Sequence, residues 1–78
     1  FTKFLKKADD DTVRTYFGYL LFARKRADAA LAEFDRVLAR RPDHALSLQY
    51  RGDVLASTGR RAEAVEAYHR LLQLQIIS

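Results

Sequence analysis

Cysteine, methionine and tryptophan are absent from the sequence, and proline occurs once, at Pro42. Without thiols no disulfide can staple the chain and no thiolate can hold zinc. Oxidising and reducing surroundings suit a thiol-free chain equally, so no compartment is read from it and the cytoplasm stands as the default. Glycine is nearly as scarce, at Gly18, Gly52 and Gly59. With so few breakers and much Ala, Leu, Arg and Glu, long helices are expected. No apolar run approaches the roughly 18 residues that a membrane span needs. The stretch Phe1-Thr2-Lys3-Phe4-Leu5-Lys6-Lys7 is too charged for a signal peptide. The first residue is not Met, and the sequence reads as a piece of something longer.

What is present fits one small domain. The 78 residues are 49% hydrophobic and 31% charged, a globular rather than a disordered balance. A chain of this size buries a modest share of its surface, so the core must be economical. The net charge of +4 is a mild excess, and where the charges sit matters more than their sum.

The strongest signal is internal. Shifted by 34 residues, the sequence matches itself: Gly18 falls on Gly52, Tyr16 on Tyr50, Leu21 on Leu55 and Arg26 on Arg60. Ala30 falls on Ala64, Leu31 on Val65, Phe34 on Tyr68, Val37 on Leu71 and Leu38 on Leu72. Agreement across small, aromatic and aliphatic positions together points to two copies of one unit, 11–44 and 45–78. The register runs backwards as well, with Phe4 on Leu38 and Asp9 on Asp43. Residues 1–10 are therefore expected to be the end of a preceding helix or an N-terminal tail.

This period, with Phe17-Gly18, Leu21, Ala30-x-x-x-Phe34 and Pro42 in the first copy, resembles the tetratricopeptide repeat family. The second copy supplies Leu48, Gly52, Leu55, Gly59, Ala64 and Tyr68. There are departures: Arg14 replaces a large aromatic, Arg51 a leucine, Leu21 and Leu55 a tyrosine, and Ile76 the closing proline. The resemblance implies an all-α, right-handed superhelix of antiparallel helix pairs and a role in binding other proteins.

The residues lead to paired helices without the family. The spacing predicts helices over about 11–24, 28–41, 44–58 and 61–75. Asp10 and Asp11 suit a helix start, Pro42-Asp43 a stop followed by a cap, and Gly59 a left-handed helix end. Leu31, Phe34, Val37 and Leu38 form one apolar stripe, and Val65, Tyr68, Leu71 and Leu72 its counterpart. A glycine inside a helix costs about 1 kcal/mol relative to alanine. Gly18 and Gly52, with Ala30 and Ala64, are therefore expected where helices approach closely. The C-terminal Leu72-Gln73-Leu74-Gln75-Ile76-Ile77 is too apolar for a polar cap.

The expected partner site is the concave face that stacked pairs leave, lined by the first helix of each. By register this face carries Thr12, Thr15, Tyr19 and Phe22, then Leu46, Gln49, Asp53 and Ala56. Tyr19 is the favoured anchor, since a phenol tolerates partial exposure; Phe22 suits the core equally well. Some members of the family grip a C-terminal carboxylate with Lys and Asn here. Asp53 would repel one, so an apolar or amphipathic segment fits better.

Basic residues gather at the turns: Arg24, Lys25 and Arg26 with Arg60 and Arg61 on one edge, and Lys6, Lys7, Arg40 and Arg41 on the other. They can meet nucleic acid, but interspersed acids and the lack of a stacking platform favour helix-end charges. No phosphate loop, His-carboxylate metal pair or spaced calcium ligands occur, and Asp9-Asp10-Asp11 reads as a cap. His44 is expected in a loop and His69 on an exposed helix face. Ser47, Ser57 and Ser78 suggest no nucleophile beside a base. The reading is thus a protein- or peptide-binding module with no catalytic site, no metal and no cofactor. The alternatives are self-association through the apolar ends Phe1–Leu5 and Leu74–Ile77, and binding of nucleic acid or an anionic surface. The Ala- and Arg-rich composition suggests a bacterial source with a GC-rich genome.

Overall fold

The computed structural model describes residues 10–77. They form four helices: α1 (Asp10–Ala23), α2 (Ala27–Arg40), α3 (Ala45–Ser57) and α4 (Arg61–Ile77). The bounds lie within two residues of those expected from spacing. Helix α1 packs on α2 and α3 on α4, while α2 meets α3 and α1 touches α3. The result is the all-helical stack of antiparallel pairs that the sequence calls for. The expected end of a preceding helix, with Lys6, Lys7, Asp9 and the apolar Phe1–Leu5, lies outside the described residues.

One turn of the same design closes each pair. Lys25 takes φ 65° and Gly59 φ 83°, each the left-handed residue that ends its helix. After each, the next amide turns back on the helix: Arg26 N–H to the Leu21 carbonyl and Arg60 N–H to the Leu55 carbonyl, both at 2.9 Å. Gly59 adopts this conformation freely, whereas Lys25 carries the strain of a Cβ there.

The core lies between the pairs. Ala30, Leu31, Phe34, Val54, Leu55 and Ala64 are buried together, flanked by Leu21, Phe22, Ala27, Tyr50 and Tyr68. Both helical glycines sit where a ring crosses them. A Cβ on Gly18 would lie 2.7 Å from Phe34 Cε1, and one on Gly52 would lie 2.6 Å from Tyr68 Cε1. Ala30 and Ala64 are buried as well. The close approaches expected at these positions are thus present, and in both pairs.

One stripe needs correction. Val65 and Leu72 are exposed, and α4 turns Ala64, Ala67 and Tyr68 inward instead. Their counterparts Leu31 and Leu38 are covered because α3 lies against α2. Among the described residues no helix lies on the outer side of α4, so the same positions stay open there. The other end behaves alike. Val13, Phe17 and Leu20 are exposed on α1, while Ser47 and Val54, which match Val13 and Leu20 in register, are buried inside the stack.

Cross-helix ion pairs occupy the two positions where arginine departs from the family's pattern. Arg14 reaches Glu33 at 3.2 Å, and Arg51 reaches Asp35 at 2.9 Å. Asp11 is almost wholly buried at the start of α1, with Arg40 and Arg41 guanidinium nitrogens 3.5 and 3.6 Å from its carboxylate oxygens. Burial of that charge is tolerable because cations face it.

Candidate functional site

Helices α1 and α3 lie side by side on one face, and their eight expected partner-facing residues divide into two groups. At the N-terminal ends the helices close on each other through polar side chains. Thr15 is fully buried, donates to the Asp11 carbonyl at 2.7 Å and shares a hydrogen with Ser47 Oγ at 2.7 Å. Thr12 is half-buried, with Oγ1 3.2 Å from His44 Nε2. Leu46 is half-buried too. Thr15 therefore does not line an open groove. The hydrophobic period gives its direction correctly but not how tightly α3 approaches there.

His44 completes this seam. It is buried at the N-cap of α3, with Nδ1 2.8 Å from Ser47 Oγ and 3.3 Å from the Ser47 amide. The cap is therefore His44 rather than Asp43; it lies in the loop before α3, as expected, with its side chain buried. A serine does stand beside a base, against the expectation from sequence spacing alone. The pair is structural, since Ser47 is wholly shielded and its hydroxyl is already engaged by Thr15 and His44.

Towards the C-terminal ends the face is more exposed. Tyr19 is 43% exposed and Tyr16 52%. Gln49 and Ala56 are exposed, while Phe22, Tyr50 and Asp53 are half-buried. The Tyr19 and Tyr50 ring centroids are 4.8 Å apart at 34°, joining the two helix pairs. Tyr16 lies 6.3 Å from Tyr50, Phe22 lies 6.3 Å from Tyr19, and Phe34 backs Tyr50 from the core at 6.2 Å. These are edge-tilted distances at which aromatic rings attract. Tyr16 and Tyr50 carry no role in the sequence reading beyond their match in register. The available signal is their spacing, each one turn before a groove residue, Tyr19 and Asp53.

Asp53 gives the face its charge. It accepts a short hydrogen bond from the Tyr68 hydroxyl. That bond, then burial and the nearby carboxylate charge, pushes the Tyr68 phenol up to about 12. The Tyr50 phenol is also raised, by burial first and then by Tyr16, Tyr19 and Asp53. Two of the chain's tyrosines, Tyr68 and Tyr50, thus feel the Asp53 carboxylate, and Tyr16 and Tyr19 meet Tyr50.

Among the described residues no helix is long and apolar enough to cross a membrane. No family model matches the chain, and no solved structure matches it. Two similar proteins are peroxisomal targeting signal receptors, from Eremothecium gossypii and Candida albicans, each 36% identical over 66 residues. The matched stretch covers 85% of this chain but 12% and 11% of those receptors, so the chain spans about an eighth of their length or less. Both sources are yeasts, and they lend no support to the bacterial origin suggested by composition.

Proposed function

We propose that this chain is a tetratricopeptide-type module that binds a peptide segment of another protein on the open half of the α1–α3 face. The observation that carries the reading is the exposed Tyr16–Tyr19–Tyr50 cluster, whose base is fixed by the core through Phe34. Rigid, partly exposed aromatics are typical anchors of protein interfaces. The family resemblance agrees, and so does similarity to proteins named as receptors for a targeting signal. Tyr19, Phe22, Gln49, Asp53 and Ala56 would line the contact. Thr12 and Thr15 would act behind it, holding α1 to α3.

The test is a displayed peptide library selected on the wild-type chain. Selected peptides should lose about tenfold or more in affinity for Tyr19→Ala, as anchor truncations do. Selected binders that are indifferent to Tyr19→Ala and to Tyr50→Ala would refute the reading.

A second reading, self-association, rests on the exposed apolar stripes Val13–Phe17–Leu20 and Val65–Leu72–Ile76 at opposite ends of the stack. Sedimentation equilibrium over a wide concentration range separates it from the first. A mass that rises with concentration, and falls back for Phe17→Ser, would make assembly the main function. The nucleic-acid reading is the weakest, because Arg40 and Arg41 of one basic edge are already paired with Asp11.

A further inference from the structure

Asp53 differs from the other acids in the middle of the fold. Asp11, Glu33 and Asp35 each face an arginine. Among the described residues Asp53 has no cation beside it, and its hydrogen-bond partner is the neutral Tyr68 phenol. The chain has 14 basic residues against 10 acidic ones, so a partner could readily have been supplied from within. The positions one turn away on α3 are instead Gln49, Tyr50, Ala56 and Ser57. A half-buried carboxylate is thus kept without a cation of its own, one helical turn from Tyr50, whose ring meets Tyr16 and Tyr19.

We propose that the face holds a basic side chain of the partner peptide, an arginine or lysine, laid over the Tyr16, Tyr19 and Tyr50 rings with its charge toward Asp53. The inference rests on the peptide-binding reading above and specifies its chemistry. Aromatic faces attract cations within about 6 Å of the ring centroid, and arginine also stacks on them. The alkyl stem would cover ring surface that is open in the free chain. The Tyr68 hydrogen bond holds the carboxylate in place, so little ordering remains for the ligand to impose. The chain's net charge of +4 opposes a basic peptide at long range, so selection here is a short-range effect. Added salt should leave binding level or strengthen it, whereas a nucleic-acid complex weakens steeply with salt.

The experiment uses the whole 78-residue chain and capped peptides of leucine and alanine around one central residue. That residue is arginine, its uncharged isostere citrulline, or glutamate. Backbone amide shifts are followed by NMR titration. The arginine peptide should bind about tenfold more tightly than the citrulline peptide, the sum expected of a cation on aromatic rings and an adjacent carboxylate. Asp53→Asn should erase that ratio. Saturation with the arginine peptide should also lower the Tyr50 phenol's apparent pKa, since arginine stays charged through that titration.

Equal binding of the arginine and citrulline peptides at the tyrosine face, or preference for glutamate, would overturn the inference and leave the groove reading intact. Shifts that map away from Tyr16, Tyr19, Tyr50 and Asp53, or no saturable shift with any peptide, would overturn both.

Discussion

Tyr68 on α4 crosses Gly52 and donates its hydroxyl to Asp53 on α3, whereas in the first pair Phe34 crosses Gly18 and the position matching Asp53 is Tyr19. The donor is present where the acceptor is, and both are missing together in the other copy. The two pairs therefore share one packing solution but present different chemistry: an exposed aromatic ring from α1 and a carboxylate from α3.

The Tyr68–Asp53 bond makes stability depend on pH at the alkaline end. The Tyr68 phenol is raised from 10.0 to about 12 on folding, so the folded state binds that proton more tightly than the unfolded chain. The stabilisation is complete below the unfolded value of 10.0 and is lost as pH rises toward about 12. Urea midpoints should fall across that window in the wild type. Tyr68→Phe should lower stability at neutral pH by about 1 kcal/mol or less, given its partial exposure, and flatten the alkaline slope. The raised Tyr50 phenol leaves a smaller residual slope of the same sign.

Gly18→Ala gains helix propensity of about 1 kcal/mol but sets a Cβ against a fully buried ring. Phe34 has nowhere to move, so net destabilisation of about 1–3 kcal/mol is expected from thermal or urea melts. Gly52→Ala should cost less, because the half-buried Tyr68 can swing outward at the expense of its bond to Asp53. Gly18→Leu and Ala64→Leu exceed what either crossing can absorb and should unfold the chain.

Lys25→Gly should stabilise the fold by about 1 kcal/mol, by relieving a side chain held in the left-handed region. Gly59→Ala should destabilise by a similar amount. A Cβ there meets nothing within 4 Å, so its cost is purely conformational. Opposite signs of the two Tm changes check the matching design of the turns.

Thr15→Val removes one of the two side-chain partners of the fully buried Ser47 hydroxyl, leaving His44 Nδ1, and should cost about 1 kcal/mol. Ser47→Ala should cost a comparable amount. The double variant should be less destabilised than the sum, because both single changes break the same Thr15–Ser47 bond, which the double variant loses only once. Additive losses in a double-mutant cycle would mean that the seam is not a connected network.

The sequence was enough for the helices, their pairing and the crossings. Glycine and alanine at matched positions, with a ring on the facing helix, have one economical arrangement, and the 34-residue register repeats it. Periodicity also puts Thr12, Thr15, Tyr19 and Phe22 on one face of their helix, and Leu46, Gln49, Asp53 and Ala56 on one face of theirs, because a helix fixes side-chain azimuth through 3.6 residues per turn.

What periodicity cannot give is the separation of α1 and α3 along their length. Only the tertiary packing decided that Thr15 is sealed against Ser47 while Tyr19 stays open, and that His44 caps α3 from a buried position. It also decided that Val65 and Leu72 are bare while Leu31 and Leu38 are covered. Exposure depends on which neighbour lies over a face, and that neighbour is set by contacts between residues distant in the chain. The meeting of Tyr16 and Tyr19 with Tyr50, and of Tyr68 with Asp53, has the same origin: side chains on different helices meet only once the helices have packed.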